Sequence, residues 1–193
     1  MSEQEQLPQL QMLFAQGRQI DPAWMLPPAG YSLRTYRPGD EAGFYRLMAG
    51  AGWPGWDDQR LAPWKARMLP KCWFLVVHNA SQEIVASAMG IQDHSDLHPF
   101  GGELGWVACD PAHQGQKLGT VVCSAVTARL LEIGYDDIHL YTEDWRLAAL
   151  KTYLRLGYQP MLLDQSYYQR WQQICQKLNW PFTPEAWPQV SAR

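Results

Sequence analysis

The chain has 193 residues, 47% hydrophobic and 18% charged, with 16 basic and 19 acidic side chains for a net charge of −3. That composition builds one globular core rather than a disordered chain, and with no block of Lys and Arg it argues against a nucleic-acid partner. No apolar run approaches the ~18 residues of a membrane span, Met1–Gln11 lacks the regions of a signal peptide, and Cys72, Cys109, Cys123 and Cys175 are too widely spaced for a zinc motif and read as buried free thiols; the expected setting is a reducing cytoplasm, with no membrane association.

Residues 1–28 read as an N-terminal extension, with a short helix over Gln4–Gln16 ended by Gly17 and broken structure at Pro22, Pro27 and Pro28. Tyr31–Arg37 alternates as a strand. Pro38-Gly39-Asp40 opens a helix over Glu41–Ala49, with Phe44, Leu47 and Met48 at helical spacing. After the Gly/Pro/Trp loop Gly50–Trp56, Asp57 caps a second helix reaching Leu69. Cys72–His78 and Glu83–Gln92 form a hairpin around Asn79–Gln82, and a polar loop, Asp93–Gly101, leads to a third strand, Gly102–Cys109. The next helix, from about Gly115 to Glu132, carries the stripe Leu118, Val121, Val122, Ala125, Val126, Leu130 and Ile133 and ends at Gly134. A strand over Asp137–Tyr141, a helix over Arg146–Leu156 closed by Gly157, and a strand over Tyr158–Leu163 complete the pattern. The tail begins as a helix and ends in a Pro/Trp-rich segment. A hairpin meander followed by alternating strands and helices gives an α/β fold, a mixed sheet with helices on its faces.

The most informative stretch is Val107–Thr120, where a buried strand passes through Pro111 and a Gly-containing turn into the long helix. The first amides of a helix lack internal partners, and the dipole adds about half a positive charge there. Helices welcome acids in their first turn, yet none occurs between Asp110 and Glu132, while Lys117 and Thr120 do. The turn therefore reads either as an anion socket of backbone amides or as a glycine-lined junction that packs tightly on the sheet. Neither Gly-x-x-x-x-Gly-Lys-Ser/Thr nor Gly-x-Gly-x-x-Gly is present.

Here the chain resembles the GNAT superfamily of N-acetyltransferases. Its signature, Arg/Gln-x-x-Gly-x-Gly/Ala, reads Gln114-Gly115-Gln116-Lys117-Leu118-Gly119, with Lys117 in place of the middle glycine. Arg146-Leu147-Ala148-Ala149-Leu150-Lys151-Thr152-Tyr153-Leu154-Arg155-Leu156-Gly157-Tyr158 looks like the family's Asn-x-x-Ala-x-x-x-Tyr-x-x-x-Gly-Phe/Tyr helix, with Arg146 replacing Asn, and Tyr36–Asp40 looks like its first strand and turn. The resemblance covers residues 31–163. It implies an acetyltransferase domain over 29–165, followed by a C-terminal helix and tail over 166–193, with the acyl-CoA N-acyltransferase fold: a central twisted mixed sheet with helices on both faces, two strands splaying to admit pantetheine.

What the resemblance implies chemically is N-acetyl transfer from acetyl-CoA to a primary amine, the acceptor a small molecule, by direct attack. Val107, Ala108 and Cys109 would pair with pantetheine as an added strand, one of their amides polarising the thioester carbonyl and stabilising the tetrahedral oxyanion. Gln114, Gly115, Gln116, Lys117, Leu118, Gly119 and Thr120 would hold the pyrophosphate, with Arg146 beside the cofactor. Glu103, eleven residues before Gln114, would be the general base, sharing a strand face with Gly105 and Val107. An amine titrates near ~10 and a free Glu near ~4.3, so Glu103 needs burial or a water relay; the competing reading is a solvated strand end. Tyr153 would protonate the departing thiolate, or else it is a core tyrosine. Trp53, Trp56 and Asp57, with Trp64 and Asp58, read equally as an acceptor wall suited to a cation and as core aromatics beside a helix cap. Trp171, Trp180 and Trp187 either cover that cleft or form a homodimer contact. His94 and His98 alone do not make a metal site. Competing functions are a non-catalytic acyl-CoA sensor and a protein-interaction domain.

Overall fold

The computed structural model describes residues 7–188. The strands in chain order are β1 (Leu10–Phe14), β2 (Tyr31–Thr35), β3 (Met68–His78), β4 (Ile84–Gln92), β5 (Gly102–Cys109), β6 (Ile138–Thr142) and β7 (Tyr158–Pro160). The helices are α1 (Glu41–Gly50), α2 (Asp58–Arg67), α3 (Leu118–Glu132), α4 (Leu147–Leu156) and α5 (Gln165–Leu178). This is the α/β class expected from the sequence. Contacts divide the chain into two compact units, one of residues 19–138 and the other of the described residues up to 18 and from 139 onward.

In the 19–138 unit, β2, β3, β4 and β5 form an antiparallel meander. Its two faces bury different material, because neighbouring strand residues point to opposite sides. Met89 and Ile91 join Phe44, Leu47 and Met48 of α1, Leu61 of α2, and Trp56 and Trp73 in one hydrophobic cluster. Gly90, between them, faces the other way, where an added Cβ would lie 2.1 Å from Cys72 Sγ and 3.3 Å from Val126 of α3. α3 packs on β3, β4 and β5 through Val121, Val122, Cys123, Ala125 and Val126, each at most 2% exposed. The expected hairpin turn is present, with Gln82 at φ 61° and the His78 amide donating to Glu83 O at 2.9 Å.

In the other unit, β1 runs antiparallel to both β6 (Leu10↔Thr142) and β7 (Phe14↔Tyr158). This corrects the helix expected over Gln4–Gln16, whose residues 4–6 lie outside the described residues. Leu10, Met12 and Phe14 are buried while Gln11 and Leu13 are half-buried, a period of two, and two flanking strands satisfy the backbone on both sides. α4 ends where Gly157 adopts φ 108° and returns its amide to Tyr153 O, a left-handed C-cap. Asp164 caps α5 by accepting from Ser166 N at 2.7 Å. Trp171 and Trp187 lie 6.1 Å apart, edge to face, and Phe182 adds a third ring, so these tail tryptophans build their own unit's core. The end of the Pro/Trp-rich tail, residues 189–193, lies outside the described residues.

Candidate active site

The central feature of β5 is a β-bulge. Pairing runs Ile91↔Glu103 and Met89↔Gly105, then skips to Ser87↔Ala108, so Trp106 and Val107 stand opposite the single residue Ala88. Trp106 takes φ 50°, a left-handed conformation that a bulky side chain adopts only when its surroundings force it. The surroundings here are aromatic. Trp53, Trp56 and Trp64 meet the Trp106 ring edge to face, at centroid distances of 5.9, 4.6 and 4.9 Å. The bulge also corrects the face expected for this strand. Glu103 and Gly105 share their side with Ala108, which joins the α1–α2 cluster, rather than with Val107. One extra residue reverses the alternation beyond it.

Glu103 leans over Gly105, where a Cβ would come 2.8 Å from its Oε1. Burial, and then the negative charge of Asp93, push the Glu103 carboxyl up to about 7, while Arg67 pulls the other way. Arg67 forms an ion pair with Asp93, donates to Gln92 O at 3.0 Å, and lays its guanidinium 5.4 Å from the Trp64 ring centre. Sequence reasoning missed Trp106 and Arg67 as parts of this site, and the ion pair that ties Asp93 to Arg67. A left-handed tryptophan carries no Gly, Asn or Asp signal, and the ion pair joins residues distant in sequence.

The tryptophans expected to form an acceptor wall come together, and Arg60 sits 4.9 Å from the Trp56 ring centre. Asp57 is spent as the cap of α2, accepting from Arg60 N at 2.8 Å. Asp58 accepts from the Tyr45 hydroxyl at 2.5 Å. Asp58 and Tyr45, with Glu41, Leu61 and Lys65, line a groove of about 780 Å³ between α1 and α2. In the Asp93–Gly101 loop the two histidines take separate partners. His94 meets Gln92 at 3.1 Å, and buried His98 bonds Asp137 at 2.8 Å.

Beyond Cys109 the chain makes a 3₁₀ turn, Pro111–His113, capped by the Asp110 carboxylate on Ala112 N at 2.8 Å. Gly115 follows at φ 80° and Lys117 at φ 62°, and α3 begins at Leu118 with no acid in its first turn and no side-chain cap. A Cβ built on Gly115 or Gly119 would meet nothing within 4 Å. Gln114–Thr120 thus form an open loop at a helix start with no acid in the first turn, a place where backbone amides can meet an anion. The Cys109 thiol is pushed up to about 11, by burial and then by Asp110, and burial drives the Cys123 thiol higher still, so both stay protonated at neutral pH.

Tyr153 lies in α4, in the other unit, buried, with its ring 6.1 Å from that of Tyr158. Arg146 precedes α4, paired through Nε with Glu143 and stacked 4.3 Å from the Trp145 ring centre.

Comparison with known proteins agrees with this geometry. The family model described as "Acetyltransferase (GNAT) family" matches residues 40–158. A protein named mycothiol acetyltransferase from Nocardia farcinica is 34% identical over 151 residues, covering 74% of this chain and 50% of that protein. The chain thus spans about half the length of the curated relatives it matches. Among solved structures, a GCN5-related N-acetyltransferase from Sphaerobacter thermophilus aligns with a TM-score of 0.61 at 24% identity, over 80% of this chain and 49% of that one. The ribosomal-protein-S18-alanine N-acetyltransferase from Escherichia coli aligns at 0.54 and 22%, over 66% and 76%. Such identities speak for the fold alone, and the fold, the family match over most of the sheet and the acid-free turn ahead of α3 converge: the chain belongs to the GNAT acetyltransferase family.

Proposed function

We propose that this domain transfers an acetyl group from acetyl-CoA to the primary amine of a small molecule by direct attack. The observation that carries the proposal is the placement of Glu103, half-buried and with its carboxyl pushed up to about 7 by burial, on the strand that runs through a bulge toward the acid-free start of α3.

The cradle of Gln114–Thr120 is proposed to hold a diphosphate, a reading supported by its two positive-φ residues, the open space at Gly115 and Gly119 and the acid-free start of α3. Lys117 adds a cation there. Main-chain groups of Val107, Ala108 and Cys109 serve pantetheine as an added strand, and the bulge leaves one residue outside the β4 ladder, its amide available to an acyl oxygen. Bound acetyl-CoA supplies a thioester whose acetyl carbon is the electrophile. Glu103 takes the amine's proton. Raising the carboxyl to about 7 narrows its mismatch with an amine near ~10 by roughly half relative to a free Glu near ~4.3. Tyr153, with a hydroxyl that ordinarily titrates near ~10 against ~8.5 for a thiol, returns a proton to the departing sulfur. Arg146, ion-paired with Glu143 just before α4, is proposed to lie beside the cofactor. Cys109 and Cys123, both driven up, are poor nucleophiles, which favours direct transfer over an acyl-enzyme.

Relatives named mycothiol acetyltransferase support a small-molecule acceptor. Trp53, Trp56 and Asp57 are proposed to act on it indirectly, through the aromatic cluster around Trp106 and the α2 cap. No helix among the described residues is long and apolar enough to cross a membrane, and free thiols at all four cysteines fit a reducing cytoplasm.

The test is calorimetric titration with CoA followed by an amine-panel assay of CoA release from acetyl-CoA. Binding with turnover on at least one amine, lost in Glu103→Gln, is the expected result. Absence of any heat or melting shift at millimolar CoA overturns the proposal.

A further inference from the structure

The amide cradle before α3 has an unusual construction. Between His113 and Leu118 no helix or strand sets its shape, and two of its residues, Gly115 and Lys117, hold positive φ within three positions. Lys117, the residue preceding the helix, makes no side-chain cap. The direction of the amides is therefore decided by how the two ends of the loop are fixed. The α3 end is fixed by burial of Leu118, Val121 and Val122. The β5 end is fixed by Asp110, whose amide donates to Val85 O at 2.8 Å, and by His113, whose amide donates to Asp110 O at 3.0 Å.

The side chain of His113 adds a fixture from a distant part of the sequence. Its Nδ1 lies 2.9 Å from the Tyr31 hydroxyl, and the two rings meet at 88° with centroids 5.7 Å apart. His78 packs on both rings, 4.9 Å from His113 and 5.3 Å from Tyr31, and is itself held by Ser81 Oγ at 3.0 Å. Tyr31 is not a loose partner. It opens β2, pairs with His78 on β3, and donates its amide to Pro28 O at 3.2 Å. A tyrosine hydroxyl both donates and accepts, so the bond forms with either neutral tautomer of the imidazole. A rigid sheet edge thus reaches across to the loop two residues before Gly115.

We propose that Tyr31 and His113 are a positioning pair that pins the cradle in its anion-binding shape, so that losing the pin weakens acetyl-CoA binding and leaves the chemical step intact. The inference rests on the proposed diphosphate role of Gln114–Thr120 and adds to it two residues outside that segment. Neither residue touches the reacting atoms. Both act through the loop, and a misplaced loop loses affinity in proportion to the ordering that binding must then supply.

The test compares Tyr31→Phe, His113→Ala, the double variant and His113→Asn, which can restore the bond, with the full chain. The readouts are the CoA dissociation constant by calorimetry, KM for acetyl-CoA and for the amine, kcat, and the melting temperature. Tyr31→Phe and His113→Ala should each raise the CoA dissociation constant and the acetyl-CoA KM about 3- to 10-fold, the span of one net hydrogen bond. The double variant should be no worse than the weaker single. His113→Asn should recover most of the loss, with kcat and the amine KM within about twofold of the parent. Unchanged CoA affinity in variants of a parent that binds CoA overturns the pin alone. A parent that does not bind CoA overturns the reading of the cradle and the pin with it. A fall in kcat that tracks lowered melting, without recovery in His113→Asn, marks the pair as general scaffold and also overturns the proposal.

Discussion

The two faces of the β2–β5 sheet are built on opposite rules. The face under α3 is made of small side chains in close contact. Gly90 leaves room for Cys72, whose thiol reaches toward Val126 O at 3.9 Å, and burial pushes that thiol up to about 12. The face under α1 and α2 is made of large rings around a kinked strand. It contains a left-handed tryptophan, indole N–H groups of Trp56 and Trp106 buried without a hydrogen-bond partner, and a carboxyl driven toward neutrality. A close-packed face of that first kind maximises contact and has no chemistry to perform. Strain and unmet polar groups of the second kind persist where function retains them. Substitutions on the two faces should accordingly separate stability from activity.

The largest effect is expected on the ring-lined face. Glu103→Gln removes the proposed base and should lower kcat/KM about 10²–10⁴-fold, measured by CoA release at pH 8. Its effect on stability should have the opposite sign. The folded-state value of about 7 lies above the ~4.3 of an unfolded chain, so the folded protein binds more protons between those values and loses stability as pH rises through them. At pH 8 that loss is complete, and Glu103→Gln should raise stability on the order of 1–3 kcal/mol in denaturant melts. At pH 4 it should raise it little. A variant both inactive and destabilised at pH 8 would assign Glu103 to the structural class and erase the contrast between the faces.

The reverse pattern is expected opposite. Gly90→Ala forces a Cβ to within 2.1 Å of Cys72 Sγ, deep in a layer with no room to relax, and should cost about 1–3 kcal/mol or more. Activity per folded molecule should hold. Gly105→Ala is the matching change on the ring-lined face. Its Cβ would meet Glu103 Oε1 at 2.8 Å, the free end of a flexible side chain, as well as Ile91. Displacement of the carboxylate is the easier response. Activity should fall roughly tenfold, as for a misplaced catalytic group, with a stability loss below that of Gly90→Ala. Paired melts and kinetics on the two alanine variants read the comparison directly.

What the sequence disclosed follows the same division. The α3 stripe, the acid-free turn before it, the Asp57 cap and the Gly157 stop are local signals, each carried by residue type and spacing within one or two turns of chain. β1 was hidden because Leu10-Gln11-Met12-Leu13-Phe14 is short and apolar enough to read either way, and only pairing with β6 and β7, distant in sequence, makes it a strand. Glu103 was legible as a residue, yet its environment was not. The phase of β5 beyond Gly105 depends on a bulge that no local residue announces, and the pair Arg67–Asp93 depends on tertiary contact. Trp106, the residue that defines the kink, was the least legible of all, because the rings that hold it left-handed come from a separate segment, Trp53–Trp64.

The smallest predicted effect is also the most discriminating. Asp93 raises the Glu103 carboxyl and Arg67 lowers it, but the two side chains neutralise one another in an ion pair. Asp93→Asn removes the charge that raises Glu103 and releases the guanidinium that lowers it, so both consequences act in one direction. The acid limb of the kcat/KM profile, expected near pH 7 in the parent because Glu103 must be ionised to accept a proton, should move to lower pH. Burial is the larger cause and is untouched, so the move should stay under about one pH unit. A base made weaker in this way should also lower the plateau rate slightly. If the limb stays in place while Glu103→Gln abolishes it, Glu103 is the titrating group and burial alone sets its value, leaving the Arg67–Asp93 pair as an anchor for the loop after β4. If the limb survives in Glu103→Gln, the titrating base lies elsewhere, and the ring-lined face owes its strain to shaping the acceptor site instead of to proton transfer.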